Sequence, residues 1–334
     1  MEKKFRAVQF GCGPIGCSVA RLALERSNIE LVGAVDIAAD KVGKDFGRVA
    51  GLEKNLGIII SDNTGSIMKT LKPDIALHTT GSGLKNIFPQ LEEIIKAGVN
   101  IVSTCEELSF PYKRYPELSL KLDKLARENG VSVLGTGINP GFLMDAWPLF
   151  MTGVCKEVTF VKATRIQDAS PRRLPFQKKI GAGCSIDEFS KRVNEGSIRH
   201  VGLSESINMI AMGLGWELNE ILENIEPIVA EKRTTSKYLT VEKGQAAGVK
   251  QVGRGFSNGK EKIILDFQAY LGAEDPHDEV IISGTPEIVV RIEGGTHGDI
   301  GTASMVVNAV PRVVEAPPGL LTMKDIPIVV SSAV

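Results

Sequence analysis

Gly11-Cys12-Gly13-Pro14-Ile15-Gly16 decides the reading of the fold. It follows Phe5–Phe10, an apolar run that reads as a strand, and it opens Pro14–Arg26, which reads as a helix. A GxGxxG pattern carries weight only between a strand and a helix. Gly11 permits the tight turn, Gly13 lets the backbone approach a pyrophosphate, and Gly16 lets helix and strand pack closely. Pro14 and Ile15 begin a helix whose unpaired N–H groups and positive dipole end suit phosphate. Alone the pattern is a weak signal, and Asp36 strengthens it. This residue stands 20 positions after Gly16, at the end of a second apolar run, Ile29–Val35. There a carboxylate can accept hydrogen bonds from the adenosine ribose hydroxyls. That placement favours NAD, because a 2′-phosphate meets like charge. Lys41 and Lys44 lie just beyond and offset it, so NADP stays open. The bland alternative is a glycine turn that binds no dinucleotide.

Outward from this stretch, short apolar runs alternate with helical patterns. Ile58–Ile60, Asp74–His78, Asn100–Ser103 and Val131–Leu134 read as strands. Leu84–Ala97, which Pro89 is expected to kink or whose main body it is expected to start, and Leu118–Asn129, stopped at Gly130, read as helices. Alternation of this kind predicts an α/β Rossmann domain, a doubly wound parallel sheet covered on both faces, over residues 1–145. After Asp145 the rhythm changes. Glu157–Ile166, Lys260–Tyr270 and Glu287–Glu293 read as strands, and Ser185–Glu195, Leu203–Gly213 and Leu218–Ile225 as helices. This predicts a second, α+β substrate and dimerisation domain over 146–298, with antiparallel strands. Gly294–Asp299 reads as a glycine-rich hinge, and Thr302–Val314 as a helix within a segment, 299–334, that returns to the first domain.

The 334 residues carry 39 Lys+Arg against 40 Asp+Glu, a balance that gives no reason to expect nucleic acid or an anionic membrane as partner. Pro171-Arg172-Arg173 with Lys178-Lys179 reads as a solvated loop rather than a polyanion site. The start has no apolar signal region, and no run approaches the roughly 20 residues of a membrane span. The five cysteines are odd in number and lack CxxC spacing, which suits free thiols in a reducing cytoplasm. His78, His200, His277 and His297 form no ligand spacing, so no metal site is expected.

Candidate chemistry follows the strand ends, where open α/β sheets bind ligands. Thr79-Thr80-Gly81-Ser82 is a wall for the nicotinamide ribose, a helix cap supplied by Ser82 or Thr80, or both. Ser103-Thr104-Cys105-Glu106-Glu107-Leu108 brings two carboxylates, of which at most one faces the cofactor, since neighbours in extended chain point opposite ways; two solvated loop carboxylates are the alternative. Such a carboxylate can relay protons and attract an ammonium or iminium group. Gly135–Phe142 offers Asn139, able to donate and accept toward a carboxamide or substrate, with a plain domain-crossing turn as the alternative. In the second domain Arg165 and Gln167 share one strand face, and Arg suits a carboxylate; an exposed surface arginine is the alternative. Gln268 and Tyr270 share a face in the same way.

Taken together, Gln9–Gly16, Val32–Asp36 with Lys41–Asp45, Ser103–Leu108, Asn139-Pro140-Gly141-Phe142 and Pro311–Leu321 resemble the 2,4-diaminopentanoate dehydrogenases and the related native amine dehydrogenases. The resemblance implies reversible, NAD(P)-dependent deamination of an amine to a ketone. It implies that Glu106, the first glutamate of the Thr-Cys-Glu-Glu pattern, handles amine and water, and that Asn139 and Arg165 contact substrate. It further implies a homodimer. Relatives acting on keto acids carry an Asn and a His where Gln167 and Gln268 stand, a departure that bears on the substrate. The rival readings are a dihydrodipicolinate reductase, whose His-His pair and Ser-Gly-Thr-Ala loop are missing, and an acylating aldehyde dehydrogenase using Cys105 as nucleophile. A non-catalytic dinucleotide sensor is the reading from another class.

Overall fold

The computed structural model describes residues 4–331. The chain divides into two compact units, one formed by the residues up to Phe142 together with those from His297 onward, the other by Leu143–Thr296.

In the first unit, β1 (Phe5–Phe10) leads through the glycine turn into α1 (Pro14–Leu24). Then come β2 (Ile29–Val35), α2 (Phe46–Val49), β3 (Ile60–Ser61), α3 (Thr64–Leu71), β4 (Ile75–His78), α4 (Leu84–Lys96) and β5 (Asn100–Ser103). A single 3-10 turn, Glu106–Leu108, precedes α5 (Pro116–Glu128) and β6 (Ser132–Gly135). The strands lie in the order β3-β2-β1-β4-β5-β6, every neighbouring pair parallel. This is the Rossmann arrangement. The order reverses between β1 and β4, where Phe10 pairs with Val35 on one side and His78 on the other. Ligands of such sheets sit outside the carboxyl ends of the strands at that point. The helices bury one stripe each. Ile87, Leu91, Ile94 and Ile95 of α4 join Val8, Ala76, Ile101 and Val133 of the strands in the main core. Helix α4 runs unbroken through Pro89, which lies on its exposed side.

The second unit begins with α6 (Ala146–Thr152), β7 (Glu157–Asp168), α7 (Leu174–Lys179), α8 (Ile186–Asn194) and α9 (Leu203–Gly213). It continues through β8 (Glu220–Val229), β9 (Thr234–Thr235), β10 (Thr240–Val241), β11 (Ala246–Ser257), β12 (Lys260–Tyr270), β13 (His277–Thr285) and β14 (Ile288–Glu293). Its main sheet has the order β14-β13-β7-β12-β11-β8. The expectation of antiparallel strands needs one correction, because β7 and β12 pair parallel. A parallel pair needs a long crossover, and the elements from α7 to β11 supply it. A second correction concerns residues 218–225, read as helix and found largely in β8. Leu218, Ile221, Leu222 and Ile225 fit a helical spacing, but in the structure burial alternates residue by residue along the strand. Pairing with β11 from Glu220–Phe256 to Val229–Ala246 overrides the local pattern.

The chain then re-enters the first unit. Helix α10 (Gly298–Val314) packs on α1, and β15 (Gly319–Leu321) adds a parallel strand beside β6.

Candidate functional site

The glycine turn is shaped by steric necessity. Gly11 has φ +91°, and a Cβ there stands 2.8 Å from the Thr79 carbonyl oxygen. At Gly16 a Cβ would lie 1.9 Å from the Gly11 oxygen, so no side chain fits between α1 and the turn. Gly13, by contrast, faces open space, with no atom within 4 Å of a built Cβ. Gly13 is also the residue before α1, Pro14 is the first in it, and no side chain caps the helix. The uncapped N–H groups and the dipole therefore point into the space that Gly13 leaves open. That is the cradle a pyrophosphate requires, and it fits a dinucleotide.

The turn is braced from below by Gln9, fully buried in β1. Its amide nitrogen donates to Gly11 O (2.9 Å), Leu77 O (3.1 Å) and Thr79 Oγ1 (2.9 Å). Sequence reasoning missed this brace, although a glutamine in an apolar strand just before a glycine turn was the signal for it.

Asp36 follows β2. Its Oδ2 accepts from Cys12 N (2.7 Å) and Lys41 Nζ (2.9 Å), and its Oδ1 from Ala38 N (2.8 Å). Burial pushes this carboxyl up, but the Ala38 N–H, Lys41 and the Cys12 N–H outweigh it and hold it below the usual range. Lys41 is thus tied to Asp36, whereas Lys44 is exposed.

Thr80 and Gly81 follow β4 and are exposed at the same edge. Thr80 Oγ1 donates to Gln90 Oε1 (2.7 Å) and meets His78 Nε2 (3.0 Å), and His78 Nδ1 meets Ser103 Oγ (2.9 Å). Burial drives the His78 imidazole down to about 4, with the Gln90 bond opposing, so at neutral pH it is an uncharged strut. Neither Ser82 nor Thr80 caps α4. Gly83 stands at the cap position, and the Leu84 N–H goes to Glu107 Oε2 (2.8 Å) instead.

That bond separates the two adjacent glutamates. Glu107 is buried, caps α4 and pairs with Arg114 at 3.3 Å. Glu106 is half-buried, and its carboxylate has no hydrogen bond or ion pair among the described residues. The turn that carries Glu106 is anchored by Glu107 N to Ser82 O (3.2 Å) and by close packing on the end of β6. A Cβ at Gly135 would stand 2.5 Å from the Leu108 carbonyl carbon, so only glycine admits this contact. Asn139 lies in the loop after β6, whose Ile138 N donates to Thr302 Oγ1 of α10 (3.4 Å). The first unit therefore brings Gly11, Gly13, Pro14, Ile15, Gly16, Asp36, Thr80, Gly81, Glu106 and Asn139 to the carboxyl edge of one sheet.

Cys105 does not support the nucleophile reading. The thiol is about 1% exposed and donates to Ser82 O (3.1 Å); burial, first among several causes, pushes it far above the usual thiol range. A thiol so placed is packing.

In the second unit the expected substrate residues separate. Arg165 is not the exposed surface arginine of the alternative reading. It is about 1% exposed, with one nitrogen on Asp278 Oδ1 (2.7 Å) and another on Thr296 O (2.7 Å). Gln167 lies on the same face of β7, and its Oε1 accepts from Arg172 (3.0 Å). Gln268 pairs in register with Ile166 and therefore faces the other side of the sheet, where it donates to Asp266 (3.1 Å). The neighbours of Arg165 and Gln167 on β12 are Phe267 and Ala269. Arg172, read as a solvated loop residue, is about 6% exposed. Among the described residues no group of three His, Cys, Asp or Glu side chains is placed to hold a metal ion. Among the described residues no helix is long and apolar enough to cross a membrane.

Comparison with known proteins adds three findings. The family described as the 2,4-diaminopentanoate dehydrogenase C-terminal domain matches residues 142–333. A 2,4-diaminopentanoate dehydrogenase of Acetoanaerobium sticklandii is 34% identical over 332 residues, covering 98% of this chain and 94% of that protein. An amine dehydrogenase structure from Mycobacterium smegmatis superposes with a TM-score of 0.85 at 24% identity, covering 98% and 97% of the two chains, and so has the same fold.

Proposed function

The chain belongs to the 2,4-diaminopentanoate dehydrogenase family, and from that premise we propose that it deaminates an amine of the 2,4-diaminopentanoate kind to a ketone and ammonia, and runs the reverse reductive amination. The enzyme is an NAD(P)-dependent oxidoreductase acting on a CH–NH2 group. The observation that carries the catalytic assignment is the contrast between Glu107, engaged on α4 and Arg114, and Glu106, whose carboxylate stands uncommitted at the strand ends.

The glycine turn and the start of α1 hold the dinucleotide phosphates, and Asp36 holds the adenosine ribose. Thr80, Gly81 and Asn139 line the path of the nicotinamide half. A nicotinamide bound there would supply the acceptor for the hydride of the amine-bearing carbon. Glu106 opposes the positive charge of the resulting iminium with its own negative charge. A carboxylate oxygen of Glu106 then takes a proton from the water that adds to the iminium carbon. The carbinolamine formed collapses to ketone as ammonia leaves. We favour NAD, because Asp36 repels a 2′-phosphate, with Lys41 softening that repulsion at 2.9 Å. We also infer a homodimer and a reducing cytoplasm, which suits the five free cysteines. Residues 1–145 then serve the cofactor and 146–298 the substrate, with 299–334 completing the cofactor part.

The test follows reduced-nicotinamide absorbance with 2,4-diaminopentanoate, using NAD and NADP in turn, on the wild type and on Glu106→Gln. Turnover should fall at least ~100-fold in the variant, while NADH titration by fluorescence gives an unchanged dissociation constant. Full turnover in Glu106→Gln removes Glu106 from the mechanism. Dinucleotide binding without turnover of any amine in the wild type leaves a sensor.

A further inference from the structure

His78 is fully buried at the end of β4, yet the loops that carry the site meet on it. In register it lies between Phe10 of β1 and Ser103 of β5. Phe10 leads into the glycine turn, and Ser103 into the turn of Glu106. The imidazole packs against the Phe10 ring, with the ring centres 5.4 Å apart. A buried imidazole is costly unless its nitrogens find partners. Here the partners are held by those same loops.

Those partners fix the tautomer. Nε2 lies 2.9 Å from Gln90 Oε1, an oxygen that can only accept, so Nε2 carries the proton. The same oxygen accepts from Thr80 Oγ1 (2.7 Å). Burial, against the Gln90 bond, pushes the imidazole from 6.5 to about 4 and keeps the ring neutral at pH 7. Nδ1 is then an acceptor, and Ser103 Oγ donates to it (2.9 Å). Ser103 Oγ in turn accepts from the N–H of Cys105 (3.1 Å), the residue that precedes the turn Glu106–Leu108. One chain of hydrogen bonds therefore runs from the Glu106 turn through the imidazole to Thr80. The backbone runs beside it, with Thr104 N donating to His78 O (2.9 Å) and Glu107 N to Ser82 O (3.2 Å).

We propose that His78, as the neutral Nε2–H tautomer, is a positioning residue of the reaction: its Ser103 arm sets the turn that carries Glu106, and its Gln90 arm sets the Thr80 hydroxyl beside the nicotinamide half of the dinucleotide. This rests on the amine dehydrogenase reading above. The imidazole couples the place of the carboxylate to the place of the cofactor. Those two places must agree for the iminium to form within reach of Glu106.

The experiment cuts one arm at a time. Glutamine places an amide nitrogen near the Nε2 position and keeps the Gln90 arm; asparagine places an amide oxygen near the Nδ1 position and keeps the Ser103 arm. Turnover of 2,4-diaminopentanoate gives kcat, NADH fluorescence titration gives cofactor affinity, and hydrogen exchange over residues 103–108 reads the turn without turnover. His78→Gln should lose kcat by about 10–100-fold, the cost of a misplaced catalytic group. Its exchange should quicken while its NADH dissociation constant holds. His78→Asn should raise that constant by about fivefold, the loss of one hydrogen bond. Its exchange should hold, with the smaller loss in kcat. Ser103→Ala and Gln90→Leu cut the same two arms with the imidazole in place and should repeat the split, which keeps the test open if a His78 variant does not fold. Equal losses of kcat and NADH affinity within each pair, as falling stability alone would give, overturn the proposal, and so does no change in either. A wild type that turns over no amine fails the functional reading itself, and the exchange and NADH measurements then still decide whether the two arms exist.

Discussion

Asp278→Asn tests whether Arg165 is framework or ligand-facing. In the native protein one oxygen of Asp278 accepts from Arg165 and the other from Thr296 N, each at 2.7 Å, with the pair almost wholly out of water. Asparagine matches the shape but presents an NH2 to one of two groups that are themselves donors, and it removes the counter-charge of a buried guanidinium. Breaking a buried pair from one side costs ~3–5 kcal/mol, because the remaining charge has nothing to offset its lost hydration. Total stability is typically ~5–15 kcal/mol, so the variant should lose a large fraction of it. The control is Glu274→Gln in the same unit, where the Lys232–Glu274 pair is 78% and 86% exposed and its loss should be undetectable. Urea unfolding followed by tryptophan fluorescence reads the second unit directly, since it holds both tryptophans. The midpoint should fall sharply in Asp278→Asn and stay in place in Glu274→Gln, at similar slopes. A loss under ~1 kcal/mol in Asp278→Asn, accompanied by a raised KM for the carboxylate-bearing amine, would show that Arg165 is not bound up in the fold and contacts the substrate after all.

Two further outcomes follow from the first unit. Gly16→Ala forces a carbon to within 1.9 Å of the Gly11 oxygen; the turn must open, and NADH affinity measured by fluorescence should fall by at least tenfold while the second unit melts as before. In acid, the His78 imidazole, pushed from 6.5 to about 4, stays neutral in the folded protein while the unfolded chain takes up the proton. Its contribution is therefore complete above about pH 6.5 and is withdrawn as pH falls toward 4, a change of up to ~3 kcal/mol. His78→Asn should flatten that part of the stability–pH curve in urea titrations; an identical slope in both proteins would refute the assignment.

The parallel sheet was readable because its strands are buried on both faces and its turns use residues with one physical purpose. Gly11 and Gly16 are dictated by contacts closer than any side chain permits, and Asp36 stands where β2 ends. The second unit was less readable. Residues 220–229 carry an apolar spacing that satisfies a helix and a strand alike, and only the partner strand β11 decides between them. Side-chain roles were the least legible. Nothing local distinguishes Glu106 from Glu107, because the difference is made by the N–H of Leu84, 23 positions away. Arg165 was read as surface or ligand-binding because its partner, Asp278, lies 113 positions along the chain. The side of the sheet on which Gln268 lies depends on its register with Ile166, which no local pattern contains.

The first unit is assembled from both ends of the chain, with α10 against α1 and β15 beside β6. During synthesis, at ~5–20 residues per second, the glycine turn leaves the ribosome before His297 and the residues beyond it, and only then does α1 gain its covering helix. The intervening Leu143–Thr296 unit has been synthesised by then. Until that moment the outer edge of β6 is unpaired and the buried side of α10, Ala303, Val306, Val307 and Val310, has yet to be made. Synthesis of α10 and β15 is thus the event that covers α1 and closes the edge of β6, and nascent chains stalled before it present an open sheet edge for chaperones to guard.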